Sequence, residues 1–335
     1  MGMRVLYRSI GKYSGPVVYG TETLLPPSGP FHAARAFWLT GEAETGNRVG
    51  SVMMADGTGF TIGIDQHIAV YPKELAHEDF NAADDQGGAW ALLAALEVAH
   101  APVKVLWEAF EQRGWYVAPD GTLRWIENGD HKVQNRKLEH RGGDLVHGAV
   151  IRDAVTPKGG RVTKVCEKEQ AREWAAMLHE LTAHPRSRKV QESFGIKHLC
   201  NRVRTRKLRL ADHRRRITFQ KAVYGTPTDI ETIRMSDLGE HLDLALCVFH
   251  SYTVNAPAVA FRIMEESIRA MGWPGAWLSD DDARCNFALN LLTRIKAKKY
   301  GRWDKRWART RKAAMDVGWW PEELFKRPAG IMTPA

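Results

Sequence analysis

This chain of 335 residues is notable first for what it does not contain. No stretch approaches the roughly 20 uninterrupted apolar residues of a transmembrane helix. The longest apolar run near the middle, Leu242 to Phe249, is interrupted by Asp243 and is too short to span a bilayer. Cysteine is sparse: Cys166, Cys200, Cys247 and Cys285 are scattered, and none forms a CxxC pair. A chain this long needs no disulfide staples, so reduced, buried thiols are expected. There is no GxxxxGK[ST] loop and no strand-led GxGxxG, which disfavours nucleotide-dependent chemistry, and no cofactor is expected. A GxSxG nucleophile elbow is also missing. At the N-terminus, Arg8 and Lys12 interrupt too early for the apolar core of a secretory signal. The expectation is synthesis in the cytoplasm.

Metal spacing is missing as well. His179-Glu180-Leu181-Thr182-Ala183-His184 places its histidines at i and i+5, about 140° apart on a helix, where a zinc protease helix needs i and i+4. No metal site is expected from spacing.

What is present is the make-up of a globular protein. Hydrophobic residues make up 44% and charged residues 26%, enough to bury a sizeable core. The formal charge of +9 concentrates in two stretches. One holds Arg202, Arg204, Arg206, Arg209 and Arg214 to Arg216; if it is helical, Arg202, Arg206 and Arg209 share a face. The other runs from Arg294 to Lys312 with Trp303 and Trp307 interleaved. Such clusters suit anionic cell-wall polymers, lipid head groups or nucleic acid, but no helix-turn-helix, zinc-finger or RNP signature supports nucleic acid as the main target.

The pattern predicts α+β architecture, mainly α, as one domain over 1–335. Val17 to Tyr19 reads as extended, and Phe31 to Glu44 as a helix with Phe31, Ala34, Phe37, Trp38 and Gly41 on one face, ended at Gly46. Val49 to Met54 and Phe60 to Ile64 read as a hairpin around Asp56-Gly57-Thr58-Gly59. Residues 72–165 read as a mixed insertion: helices near Gly88 to His100 and Val103 to Gln112, a hairpin of Trp115 to Val117 with Leu123 to Trp125, and a polar loop from Glu127 to Asp144. From residue 168 onward the chain reads as helical, over Glu169–His184, Val190–Arg209, Leu238–Ser251, Pro257–Met271, Asp281–Lys299 and Lys305–Val317. Trp38, Trp90, Trp107 and Trp174 fall on apolar stripes, and Trp319-Trp320-Pro321 reads as a terminal anchor.

The chemistry-bearing stretch is Glu42-Ala43-Glu44-Thr45-Gly46 followed by Asp56-Gly57-Thr58-Gly59-Phe60-Thr61-Ile62-Gly63-Ile64-Asp65-Gln66. Glycoside cleavage needs a proton donor for the leaving oxygen and a second polar group for the water or the oxocarbenium-like charge. A Glu ending an apolar helix and an Asp in an open turn provide two unlike environments for two carboxyls. This arrangement resembles the lysozyme-like superfamily, in which a catalytic Glu ends a helix and a Gly- and Thr-bearing β-hairpin follows. Chitosanases of that superfamily carry a similar D-G-x-G-[FY]-T-x-G turn, matched by Asp56 to Gly63.

The resemblance implies a lysozyme-like fold, with a small hairpin sheet and a large helical lobe. It implies a muramidase-like glycosidase, of the kind phage lysins are, that cleaves β-1,4 bonds of peptidoglycan. Glu44, or Glu42, would be the general acid, Asp56 the base or electrostatic partner, and Thr61 the water-positioning hydroxyl. Gln66 ends the hairpin as in related peptidoglycan-cleaving domains, and Tyr252 and Asn255 fall in a segment resembling one that lines the saccharide cleft. The alternatives are a chitosanase-like hydrolase or lytic transglycosylase, and a non-enzymatic basic nucleic-acid-binding or structural phage protein.

Overall fold

The computed structural model describes residues 5–10, 13–54, 61–68, 92, 96, 115–117, 123–127, 130–132, 151–155, 161–165, 168–210, 217–225, 229–271 and 280–326. They are mainly helical, with small antiparallel sheets. The strands are β1 (Val5–Ile10), β2 (Tyr13–Val18), β3 (Val52–Met53), β4 (Thr61–Ile62), β5 (His67–Ile68), β6 (Trp115–Val117), β7 (Leu123–Glu127), β8 (Asp130–Lys132), β9 (Ile151–Val155), β10 (Arg161–Val165), β11 (Lys207–Leu208) and β12 (Ile217–Thr218). The helices are α1 (His32–Glu44), α2 (Lys168–Ala183), α3 (Ser187–Thr205), α4 (Phe219–Tyr224), α5 (Met235–Leu238), α6 (Glu240–Asn255), α7 (Pro257–Met271), α8 (Asp281–Ala297), α9 (Trp303–Asp316) and α10 (Glu322–Lys326). The single domain expected from the sequence divides into two compact units, one of residues 1–24 and 47–194, the other of residues 25–46 and 195–335.

The first unit is built on an antiparallel sheet in the order β1-β2-β3-β4-β5. Val18, Val52 and Ile62 stand opposite one another on one face of it, Val17 lies on the other, and all four are buried; α2 packs on β2, β3 and β4. The chain leaves this unit at Leu24 and re-enters at Asn47, and the two ends are zipped together: Leu24 N donates to Asn47 O at 2.8 Å and Val49 N to Glu22 O at 2.9 Å. The zipper needs a glycine, because a Cβ on Gly20 would lie 1.5 Å from Val49 O. The predicted hairpin of β3 with β4 is present, with Val52 opposite Ile62. So is the hairpin of β6 with β7, with Trp115 opposite Trp125. The polar stretch expected to be a loop from Glu127 instead supplies a third strand, β8, through Ile126 opposite His131. Of the expected Gly88 to His100 helix, Leu92 and Leu96 are described, and both are helical and buried. Trp90, Trp107, Asp56 and Cys166 lie outside the described residues, and so does the side chain of Trp174.

The second unit is organised around α6. Every residue of α6 from Leu242 to Thr253 is buried, as befits a helix enclosed by neighbours rather than amphipathic on a surface. It packs against α1, α7 and α8. Helix α1 is nearly as enclosed. It closes when Thr45 N donates to Gly41 O at 2.8 Å and the chain turns left-handed at Gly46 and Asn47. Glycine and asparagine tolerate that conformation best. The Trp319 anchor is present: it meets Trp38 edge-on at 5.3 Å and lies under the Arg35 guanidinium at 4.2 Å. The basic helical stripe is not present. Helix α3 ends at Thr205, and β11 pairs with β12 immediately after it, so Arg206 and Arg209 leave the face that carries Arg202.

Gly195 of α3 lies against Phe37, and an added Cβ would come within 2.1 Å of the ring. Alanine favours a helix over glycine by about 1 kcal/mol, whereas overpacking a tight core costs about 1–3 kcal/mol. Phe37 is 1% exposed and has nowhere to go. Gly195→Ala is therefore expected to lower the melting temperature by a few degrees in a thermal scan. A variant that melts higher would show that the ring yields.

Candidate functional site

Glu44 is the last residue of α1, and its side chain is 20% exposed. Its carboxylate accepts from Arg306 Nη2 of α9. Arg306 is itself nearly buried and is oriented from α6, donating through Nη1 to Ser251 O at 2.8 Å and to Ser251 Oγ at 2.9 Å. Arg309, one helical turn on, donates to Ala43 O at 3.2 Å. The α1 sequence has no basic residue in its last turn, so α9 supplies the cations that its C-terminal carbonyls and carboxylate attract. Glu42 is half-buried, and its spacing of two places it on a different side of α1.

Thr61 and Gln66 are in the first unit, where they hold one turn together. Thr61 Oγ1 donates to Gln66 Oε1 at 2.7 Å, and Gln66 Nε2 donates to Gly63 O at 2.9 Å. These bonds hold Gln66 in a left-handed conformation, φ 58°, that residues other than glycine rarely adopt. The same turn carries the buried pair Asp65 and His67, 2.7 Å apart.

Tyr252 and Asn255 sit at the end of α6. Tyr252 is fully buried, with its ring edge-on to Trp303 at 4.6 Å and its hydroxyl donating to Trp303 O at 3.3 Å. It presents no surface on which a sugar could stack. Burial pushes its phenol up, against the opposing pull of Arg306. Asn255 is exposed, and its Oδ1 accepts from Trp303 Nε1 at 3.1 Å.

The densest group of polar side chains in the second unit lies in its core. Asp243, Cys247 and His250 follow one another at i, i+4 and i+7, on one face of α6. That spacing is readable from the sequence, in which Asp243 interrupts an apolar run. From α1, His32 Nδ1 lies 2.8 Å from Asp243 Oδ1, and Arg35 Nη1 donates to Asp243 Oδ2 at 2.6 Å. On its other side, His32 Nε2 is 3.0 Å from the Tyr224 hydroxyl, which is 3.1 Å from His250 Nε2. His250 Nδ1 has no hydrogen-bond partner among the described residues. Burial, with Asp243 adding, pushes the Cys247 thiol well above its usual range. Burial also pushes the Tyr224 phenol up. Burial, with His32 adding, holds His250 well below the usual imidazole range.

The other candidates are occupied structurally. His179 Nδ1 bonds Gly50 O at 2.6 Å, and His184 Nδ1 accepts from Arg186 N at 3.2 Å. Cys200, Cys247 and Cys285 are free and buried, as expected for reduced thiols. Arg204 pairs with Asp229 at 3.2 Å, and Arg206 lies 5.0 Å over Phe261. No protein-family model, no curated protein and no solved structure matches this chain.

His250 gives a pH dependence with a definite sign. The unfolded chain protonates this imidazole near pH 6.5, and the folded chain only well below it. Below that point the unfolded state binds more protons, so stability falls as pH drops, by up to about 1.4 kcal/mol per pH unit, until the folded imidazole is also charged. Above about pH 6.5 the effect is absent. Urea unfolding at a series of pH values is expected to give a shallower acid slope for His250→Gln than for wild type. Equal slopes would show that His250 is not held neutral.

Proposed function

We propose that this chain is a glycoside hydrolase of lysozyme-like type that cleaves β-1,4 bonds in peptidoglycan, with Glu44 as the general acid. One observation carries the reading: Glu44 ends a helix buried over most of its length, its carboxyl is fixed by Arg306, and the antiparallel β3–β4 hairpin follows in the chain. Catalytic groups work when their rotamers are locked by neighbours, and the link from Ser251 through Arg306 to Glu44 is such a lock.

In this reaction Glu44 gives its proton to the glycosidic oxygen as the C–O bond breaks, and water attacks the anomeric carbon and loses a proton. A second polar group takes that proton or offsets the positive charge. Here Glu44 accepts from Arg306, so donation requires the ion pair to open when substrate binds and the freed carboxylate to take up a proton from solvent. Arg306 then acts as a positioning residue that recaptures the carboxylate after proton transfer. An exposed cationic edge formed by Lys296, Lys298, Lys299, Arg302 and Lys305 suits an anionic wall polymer.

The test is clearing of purified sacculi, with products read by mass spectrometry. Glu44→Gln is expected to lower the rate by about 10²–10⁴-fold, and Glu42→Gln to leave it near wild type. Activity lost in Glu42→Gln and kept in Glu44→Gln moves the acid to Glu42. Reducing ends mark a hydrolase and anhydro ends a lytic transglycosylase. Wild type that cuts neither peptidoglycan nor chitosan, yet retains nucleic acid in a gel shift at physiological salt, would replace this function with polyanion binding through the same edge.

A further inference from the structure

We propose that His32 Nδ1, the Asp243 carboxylate and Cys247 Sγ form a metal site for a borderline transition ion, zinc by chemistry. The proposal is independent of the glycosidase reading and uses none of its residues. All three side chains are buried, and their ligand atoms lie within 4.8 Å of one another. One sulfur, one imidazole nitrogen and one carboxylate oxygen are a donor set that suits zinc and is poor for magnesium or calcium.

The spacing is close to what such an ion requires. Zinc–sulfur bonds of about 2.3 Å and zinc–nitrogen or –oxygen bonds of about 2.0–2.2 Å, at tetrahedral angles, place ligand atoms about 3.3–3.6 Å apart. Here Cys247 Sγ is 3.4 Å from His32 Nδ1, and Nδ1 is 2.8 Å from Asp243 Oδ1. Parting Nδ1 and Oδ1 by roughly half an ångström reaches the tetrahedral edge. Asp243 and Cys247 come from successive turns of α6, so the helix backbone sets their spacing, and His32 comes from the first turn of α1.

The surroundings are those of a ligand shell. A metal-binding histidine is normally fixed by a hydrogen bond at its other nitrogen, and a binding carboxylate by one at its other oxygen. Tyr224 OH is at His32 Nε2, and Arg35 is at Asp243 Oδ2. The chain beyond them allows Nδ1 to be vacated. Without metal, His32 Nδ1–H donates to Asp243, Tyr224 O–H donates to His32 Nε2, and His250 Nε2–H donates to Tyr224. With metal on Nδ1, every bond reverses: His32 Nε2–H donates to Tyr224 and Tyr224 O–H donates to His250 Nε2, while His32 Nδ1 releases its proton to solvent and His250 Nδ1 takes one up, so neither ring changes charge. That nitrogen has no hydrogen-bond partner among the described residues, so no bond there opposes either state. The Cys247 S–H bond breaks as the metal–sulfur bond forms, and that proton is the net release to solvent.

The experiment uses the full reduced chain, with cobalt(II) as the probe and zinc as competitor. One equivalent of cobalt is expected to give a sulfur-to-cobalt absorption in the near ultraviolet, which zinc abolishes. Cys247→Ser should remove the band, while Cys166→Ser, Cys200→Ser and Cys285→Ser should keep it. Tyr224→Phe leaves all three ligands in place and should bind about 10–100-fold more weakly. Zinc should raise the melting temperature of wild type and not that of Cys247→Ser. No band in wild type overturns the site even if every variant fails to fold. A band that persists in Cys247→Ser, or depends on another cysteine, also overturns it.

Discussion

The second unit depends on a carboxylate with no exposed surface. Asp243 sits within a helix whose neighbouring positions are apolar. Burying such a charge costs several kcal/mol even after the protein relaxes. Groups that reach the carboxylate offset that cost, and the two nearest come from α1. Arg35 takes one oxygen and His32 the other, three residues apart on one helix face. Asp243 therefore sets both the distance and the rotation of α1 against α6. Apolar packing is indifferent to small slips between helices, whereas a two-point bond to a buried charge is not. Arg35 is covered in turn by Trp319, which ties the C-terminal segment to the same point.

The other end of α1 is fixed from the same helix through a different intermediary. The last turns of α6 carry Ser251, Tyr252 and Asn255, and all three engage α9: Ser251 through Arg306, and Tyr252 and Asn255 through Trp303. Arg306 then holds Glu44. So α6 holds the first turn of α1 directly and its last turn by way of α9. The fully buried Tyr252 belongs to that brace, and its place near a candidate carboxyl comes from supporting Trp303 and Arg306 rather than from touching a sugar. The Glu44 carboxyl is thereby ordered through a partner that is itself ordered.

What the sequence displayed, and what it did not, divides by the range of the interaction. Helix α7 begins at Pro257 and ends at Met271, as its periodicity and its initial proline imply. The β6–β7 hairpin follows from Asp120-Gly121 between two aromatic runs. These signals are local. The Arg202, Arg206 and Arg209 stripe failed because local spacing cannot register that Lys207 and Leu208 pair with a strand nine residues on. Glu44 was legible as a helix-ending carboxyl, but its Arg306 is 262 positions away and no periodicity connects them. Thr61 and Gln66 stood out for their place in a Gly-rich turn, and their bond to each other explains that turn before any substrate is invoked. The Asp243, Cys247 and His250 face lay within reach of helical spacing, since charged and polar residues at i, i+4 and i+7 in an apolar helix must find partners. His32, which completes the set, was not legible, because it is 211 positions from Asp243.

Stability alone does not account for this cluster. Replacing a buried ionic group by apolar residues of the same volume is often neutral or favourable. A core that needed only packing would continue the leucines and phenylalanines that surround His32 and Asp243. Two imidazoles and a phenol in one chain add a property that an apolar core lacks, because each of the three exchanges donor for acceptor without moving a heavy atom. A chain of three such groups has two complete proton arrangements, and a fixed donor such as lysine at any link would remove one of them. The orphaned nitrogen of His250 follows from this reversibility: a partner fixed as donor or acceptor would satisfy it in one arrangement and oppose it in the other. Besides His32 and Tyr224, the rings beside His250 are those of Phe219 and Phe249, and these apolar neighbours favour neither arrangement.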